Sequence, residues 1–146
     1  MIEFVVRGNP VAQSRPRATR VGNSVRLYDE SKTRDFKSYF KFSAALAMRG
    51  RQIYDIPLRV TLDVFVAKPK SWPKKRVHAD TKPDLDNFAK AALDAMEGVV
   101  YTNDSRIVEL QLAKHLSDFP RCEVKVEPAL PLEQSVVDPV DNCLDL

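Results

Sequence analysis

Cysteine is scarce in this chain. Cys122 and Cys143 are the only two among 146 residues, too few for a disulfide scaffold. They stand in no paired ligand spacing, so a zinc site is not expected. The two histidines, His78 and His115, have no Ser or Cys at a spacing that suggests a covalent nucleophile. No apolar run approaches the roughly 18 residues that a membrane span requires. The first residues, Met1-Ile-Glu-Phe-Val-Val-Arg7, lack the basic-then-apolar layout of a secretory signal and read as a strand. These absences lead to the expectation of a cytoplasmic protein with no membrane contact. Hydrophobic content of 44% and charged content of 29% are globular values, which excludes a fully disordered or collagen-like chain. A length of 146 residues suits one domain with a core of its own.

Basic residues are absent from the last twenty positions. All 23 Lys and Arg fall in residues 1–126 beside 15 acids, a balance of +8, while residues 127–146 hold five acids and three prolines. The division predicts a domain over 1–126 and an acidic, flexible tail over 127–146. A net positive body suits a polyanionic partner, because Lys and Arg neutralise phosphates and release condensed counterions. Two clusters sharpen that reading. Arg15, Arg17 and Arg20 share a segment with Pro16 and Gly22, which is no regular helix. Lys68, Lys70, Lys74, Lys75 and Arg76 fill a loop punctuated by Pro69, Pro73 and Pro83. Arginine in a constrained loop offers a planar fork to phosphate oxygens. Arg15, Arg17, Arg20, Lys74, Lys75, Arg76 and Lys82 are therefore the candidate DNA contacts.

Periodicity predicts strands at 2–7, 24–28, 58–66, 99–101, 106–114 and 121–126. Helices are expected from about Ser31 or Thr33 to Arg49, and from Asp84 to Met96, ended by Gly50 and Gly98. The fold class is α+β: a single domain whose mixed sheet of four or five strands is covered by two main helices.

The most informative stretch is Lys82-Pro-Asp-Leu-Asp-Asn-Phe-Ala-Lys90. Inside a continuous helix Asp84 and Asp86 would point about 200° apart, at ~100° per residue. Pro83 keeps the approach extended, and at a loop-to-helix junction the two carboxylates can converge. Asp84 is also a natural helix cap, and Lys90 a natural i,i+4 partner of Asp86. Asp104, in Tyr101-Thr-Asn-Asp-Ser-Arg106, taken alone reads as a turn residue. Carboxylates beside a basic loop are electrostatically wrong for a simple DNA binder. They become sensible with a divalent cation between them and a phosphate, and Mg²⁺ needs only one or two carboxylates besides water and phosphate. Lys90 would offset charge developing in the transition state.

Asp84-Leu-Asp-Asn-Phe-Ala-Lys90, Leu93-Asp-Ala95 and Gly98-Val-Val-Tyr-Thr-Asn-Asp-Ser-Arg-Ile-Val108 together resemble the RusA family of Holliday junction resolvases. Gly8-Asn-Pro-Val-Ala-Gln-Ser-Arg-Pro-Arg17 resembles that family's basic N-terminal motif. The resemblance spans roughly residues 4–126. It implies a small homodimeric endonuclease that nicks four-way DNA junctions symmetrically with Mg²⁺, Mn²⁺ serving as a substitute. It matches Asp84, Asp86 and Asp104 to metal-binding acids, Lys90 to an essential catalytic lysine, and Arg15 and Arg17 to DNA contacts. The acidic tail has no counterpart in the family pattern.

The reading that follows is metal-assisted phosphodiester hydrolysis, with ions activating water and stabilising the leaving oxygen. It requires the three carboxyl groups to meet near a common cation position. Two alternatives stand beside it: a non-catalytic nucleic-acid-binding module, and a Mg²⁺ nuclease of other branched DNA. Substrate symmetry favours a C2 dimer. The aromatic surplus of the first helix, Phe36, Tyr39, Phe40 and Phe42, is its candidate surface.

Overall fold

The alternation of Leu58, Val60, Leu62 and Val64 with polar neighbours builds the sheet's most heavily paired strand. The computed structural model describes residues 1–28 and 30–130. In chain order the elements are β1 (Ile2–Arg7), β2 (Arg17–Val21), β3 (Ser24–Tyr28), α1 (Ser31–Met48), β4 (Leu58–Val66), α2 (Leu85–Met96), β5 (Ile107–Leu116) and β6 (Arg121–Pro128). A 3-10 turn over Asp104–Arg106 leads into β5.

The four-stranded sheet runs β1-β6-β4-β5. β4 pairs antiparallel with β6 and parallel with β5, so the sheet is mixed, as expected. Parallel pairing obliges the chain to cross from the end of β4 back to the start of β5, and α2 makes that crossing. Its Ala89, Ala91, Ala92 and Ala95 are buried and let the helix lie close against the strands. α1 contributes Phe36, Phe40, Ala44 and Met48 as one buried stripe, with Phe40 edge-on to Phe4 of β1 at 5.7 Å.

The helices cover one face only. Register places Glu3, Val5, Arg7, Arg59, Thr61, Asp63, Phe65, Glu109, Gln111, His115, Arg121, Glu123, Lys125 and Glu127 on the other. Several of its charges pair with one another: Arg59 with Glu109 and Glu127, Lys125 with Glu127, Arg121 with Glu123. His115 Nε2 meets Asp63 at 2.8 Å and its ring stacks on Phe65.

Three departures from the sequence reading have clear causes. Arg17–Val21, expected as loop, is a strand paired with β3 around a two-residue turn. Gly22 holds φ +61° there, which suits the first corner of a II′ hairpin. All ten residues of this ribbon are exposed, so no apolar alternation announced it. Val99–Tyr101, expected as a strand, is instead the turn closing α2, with only isolated bridges at Tyr101. β6 runs through Pro128 and Glu127 is ion-paired, so the sheet takes in the first two residues of the expected tail. Residues 131–146, the rest of that segment, lie outside the described residues. No described helix is long and apolar enough to cross a membrane.

Candidate active site

The C-terminal ends of β4 and β5 lie side by side, Val66 opposite Leu116. The basic loop leaves from one and returns over the other toward α2. Lys68 folds the loop by donating from Nζ to the carbonyls of Lys74 and Arg76 at 3.1 and 2.7 Å. The Arg76 guanidinium lies 3.6 Å over the Trp72 ring and binds Asp80 at 2.9 Å. That hydrogen bond, with the charge behind it, holds the Asp80 carboxyl below its ordinary value. Lys114 Nζ then donates to Thr81 O at 2.7 Å and Pro83 O at 2.9 Å, tying the end of β5 to the residue before Asp84. A cleft of about 290 Å³ opens here, lined in part by Trp72, Lys82, Pro83, Phe88 and Lys114. From the other side, the Gln13 amide donates to Asn87 O at 2.9 Å and brings the Arg15 segment against the first turn of α2. Ser14 Oγ meets the buried Thr33 hydroxyl at 3.3 Å, so Thr33 anchors this segment rather than capping α1.

Four charged groups stand in this framework without a structural task. Asp84 occupies the N-cap of α2 in extended conformation, yet its side chain makes no cap hydrogen bond. Asp86 and Lys90, four residues apart, form no ion pair. Asp104 opens its 3-10 turn, but Asn103 does the capping there, its Oδ1 accepting from Ser105 N at 2.8 Å. All four are exposed.

The expected DNA contacts divide. Arg15, Lys74, Lys75 and Lys82 are exposed and have no ion-pair partner among the described residues. Arg17 is neutralised by Glu30 at 2.7 Å, and Arg76 by Asp80. Arg20 turns back onto Gly22 O of its own hairpin at 3.3 Å.

Asp104 does not join Asp84 and Asp86. Its turn follows Tyr101, whose hydroxyl donates to Leu93 O at 2.7 Å, toward the far end of α2. Burial first, then the charges of Asp104, Glu97 and Asp94, push the Tyr101 hydroxyl above its ordinary pKa. From Asp86 to Leu93 the helix rises about 10 Å, against Mg–O distances of about 2 Å. Among the described residues no three carboxylate, imidazole or thiol groups lie close enough to share a metal ion. Asp84 and Asp86 supply hard oxygen donors, but within one chain the three-acid site expected from the sequence is not formed.

Two positioning residues escaped sequence reasoning. Lys114 faces the helix-covered side in register with Val64, and a lysine among Leu110, Leu112 and Leu116 was the available signal. Asp55 accepts from Thr102 Oγ1 at 2.7 Å and from Arg106 Nε at 2.8 Å, clamping the Asp104 turn from both sides. Those hydrogen bonds, led by Thr102, and the Arg106 charge lower the Asp55 pKa. Cys122 is buried in the sheet, which pushes its thiol up to about 12 and leaves it no role as a nucleophile.

Comparison with known proteins agrees with the motif reading. A family model described as endodeoxyribonuclease RusA matches residues 7–127. The chain is 36% identical over 135 residues to YqaN, an uncharacterized protein of Bacillus subtilis strain 168, covering 86% of this chain and 94% of that one. It is 25% identical over 130 residues to a crossover junction endodeoxyribonuclease, rusA, of Lactococcus phage r1t, covering 85% and 94%.

Proposed function

The chain belongs to the RusA endodeoxyribonuclease family, and from that premise we propose that it resolves four-way DNA junctions by paired, symmetric nicks. In this reading it works as a homodimer with Mg²⁺, and Mn²⁺ serves in its place. One observation carries the assignment: Asp84, Asp86, Lys90 and Asp104 are each freed of the cap, pair or turn duty that would otherwise explain them. An exposed carboxylate at a basic surface, with nothing to bind in the fold, is an electrostatic cost to DNA docking unless it serves chemistry.

The chain's own groups divide the work. Arg15, Lys74, Lys75 and Lys82 grip phosphates on either side of the α2 N-terminus, where backbone N–H groups also favour anions. Lys90, one turn into α2, offsets negative charge developing at the scissile phosphate. Lys114 and Asp55 hold the two acid-bearing segments in place.

The test is a synthetic four-way junction incubated with protein and Mg²⁺, then with EDTA. Nicks at symmetric positions that vanish with EDTA are expected, and Asp86→Asn should still shift the junction while no longer nicking it. A protein that shifts the junction under both conditions and cuts it under neither is a binding module. Equal cleavage of fork and linear duplex would replace junction resolution with a broader branched-DNA activity.

A further inference from the structure

The cleft beside Pro83 has walls that phosphate binding does not explain. We propose that it takes one unstacked nucleobase, which packs against Trp72 while the strand it belongs to runs past Asp84 and Asp86. This rests on the nuclease reading above and concerns how its site meets the branch point of the DNA.

Pro10, Val66, Trp72, Pro83, Phe88 and Leu116 give the cleft apolar walls, most of them ring-bearing. A sugar–phosphate backbone calls for cations and N–H donors, whereas a base has a π-face that such walls suit. At about 290 Å³ the cleft lies at the small end of ligand sites, which begin near 300 Å³. That is room for one ring system and too little for a duplex. Two polar groups complete the match. Asn9 lines the cleft, and its side-chain amide makes no hydrogen bond among the described residues, so donor and acceptor are both open to a base edge. Lys82 brings an ammonium without an ion pair among the described residues, which suits the neighbouring phosphate.

Trp72 is set in place before any ligand arrives. Its indole is half-buried, and its Nε1–H has no acceptor among the described residues. The Arg76 guanidinium covers one ring face at 3.6 Å and does not itself line the cleft, so the indole stands between the two. Asp80 fixes Arg76, and Lys68 holds the carbonyls of Lys74 and Arg76. Ordering the loop therefore takes little away from stacking on the ring. The position is equally telling. Thr81, Lys82 and Pro83 line the cleft and lead directly into Asp84, so a base seated here belongs to a nucleotide close to the acids. A branch point supplies such a base at least cost, because its pairs lack the continuous stacking that a linear duplex must break. The cleft thus tells a branch from a duplex through a base, which phosphate contacts do not.

Trp72 is the only tryptophan of the chain, so its emission reports on the cleft directly. The wild-type protein is titrated in EDTA, where no cutting intervenes, with a synthetic four-way junction and with linear duplex of the same sequence, gel shifts running alongside. Bound junction should quench the emission roughly twofold or more, and bound duplex should leave it nearly unchanged. Replacing the branch-point bases one at a time by an abasic sugar should abolish the quenching at one position per scissile strand. Trp72→Leu should weaken junction binding roughly 5- to 150-fold with duplex binding within about twofold, and Trp72→Phe, which keeps a stacking ring, should restore most of it. Thermal melts check both variants; should Trp72→Leu fail to fold, the wild-type quenching and the abasic series decide alone. A junction that binds and is nicked with Mg²⁺ while the emission stays unmoved, or moves equally with duplex, overturns the pocket and leaves the nuclease reading standing. Quenching that survives every abasic replacement overturns it too. Junction-specific quenching by a protein that never cuts with Mg²⁺ supports the pocket and sinks the nuclease reading. Binding to neither DNA overturns both.

Discussion

Replacing Lys114 by methionine removes one ammonium while keeping most of the side-chain volume. Its Nζ makes two hydrogen bonds, to Thr81 O and Pro83 O at 2.7 and 2.9 Å. Charged hydrogen bonds contribute about 1.5–3 kcal/mol each where the orphaned group stays dry. Thr81 and Pro83 are exposed, so water can take over both carbonyls, and the expected total loss falls to about 1–2 kcal/mol. A domain of this size should then melt about 3–8 °C lower. The effect on cleavage should be larger than that stability loss suggests, because these bonds fix the residue before Asp84. A misplacement of about 1 Å costs on the order of 100-fold in rate. Lys68→Met is the matched control: Lys68 also donates to two loop carbonyls, but those belong to Lys74 and Arg76 rather than to the residues leading into Asp84. Single-turnover nicking of a four-way junction, measured well below both melting temperatures with gel-shift affinity in parallel, separates the variants. Lys114→Met should keep binding and lose most nicking, while Lys68→Met should lose comparable stability and far less activity. Equal nicking by the two would refute the positioning role.

Other perturbations test the remaining parts. Arg15→Ala should weaken junction binding and lower the slope of log affinity against log salt by about one, whereas Arg17→Ala, already neutralised by Glu30, should change that slope much less. Leu62→Ala removes a fully buried side chain from β4 and should cost about 2–5 kcal/mol in urea unfolding. Asp55 has its carboxyl pKa lowered by folding. Its contribution is therefore complete above the ordinary carboxylate range and fades as pH falls through the lowered value. Between pH 7 and pH 3, Asp55→Asn should lose less of its urea midpoint than wild type; an identical drop in both would remove Asp55 from the acid response.

What was legible in the sequence was whatever repeats over short range. Leu58–Val66 declared its strand through alternation, and Leu85, Phe88, Ala89, Ala92 and Met96 declared α2 through helical spacing. The β2–β3 ribbon hid because it buries nothing, so its residues follow no solvent-driven pattern. Asp84, Asp86 and Lys90 were visible as a local motif. Lys114 and Asp55 were not, since their partners lie 31 to 51 residues away and are set by the strand register. The position of Asp104 was within reach: a helix of that length between two acids already implied a gap of many ångströms. The motif's compactness in sequence concealed it.

The self-paired charges on the open face of the sheet have a consequence for how a polyanion arrives. Arg59, Lys125 and Arg121 each sit against glutamates, so at a distance that face presents little net potential. Arg15, Lys74, Lys75 and Lys82 instead carry charge that no ion pair among the described residues cancels. If the proposed DNA contacts hold, a duplex approaching this molecule would meet a neutralised sheet face on one side and uncancelled cations on others, so the field would turn it before any atom touches. Raising salt should therefore slow capture first, through loss of this alignment, and only later loosen the complex once formed.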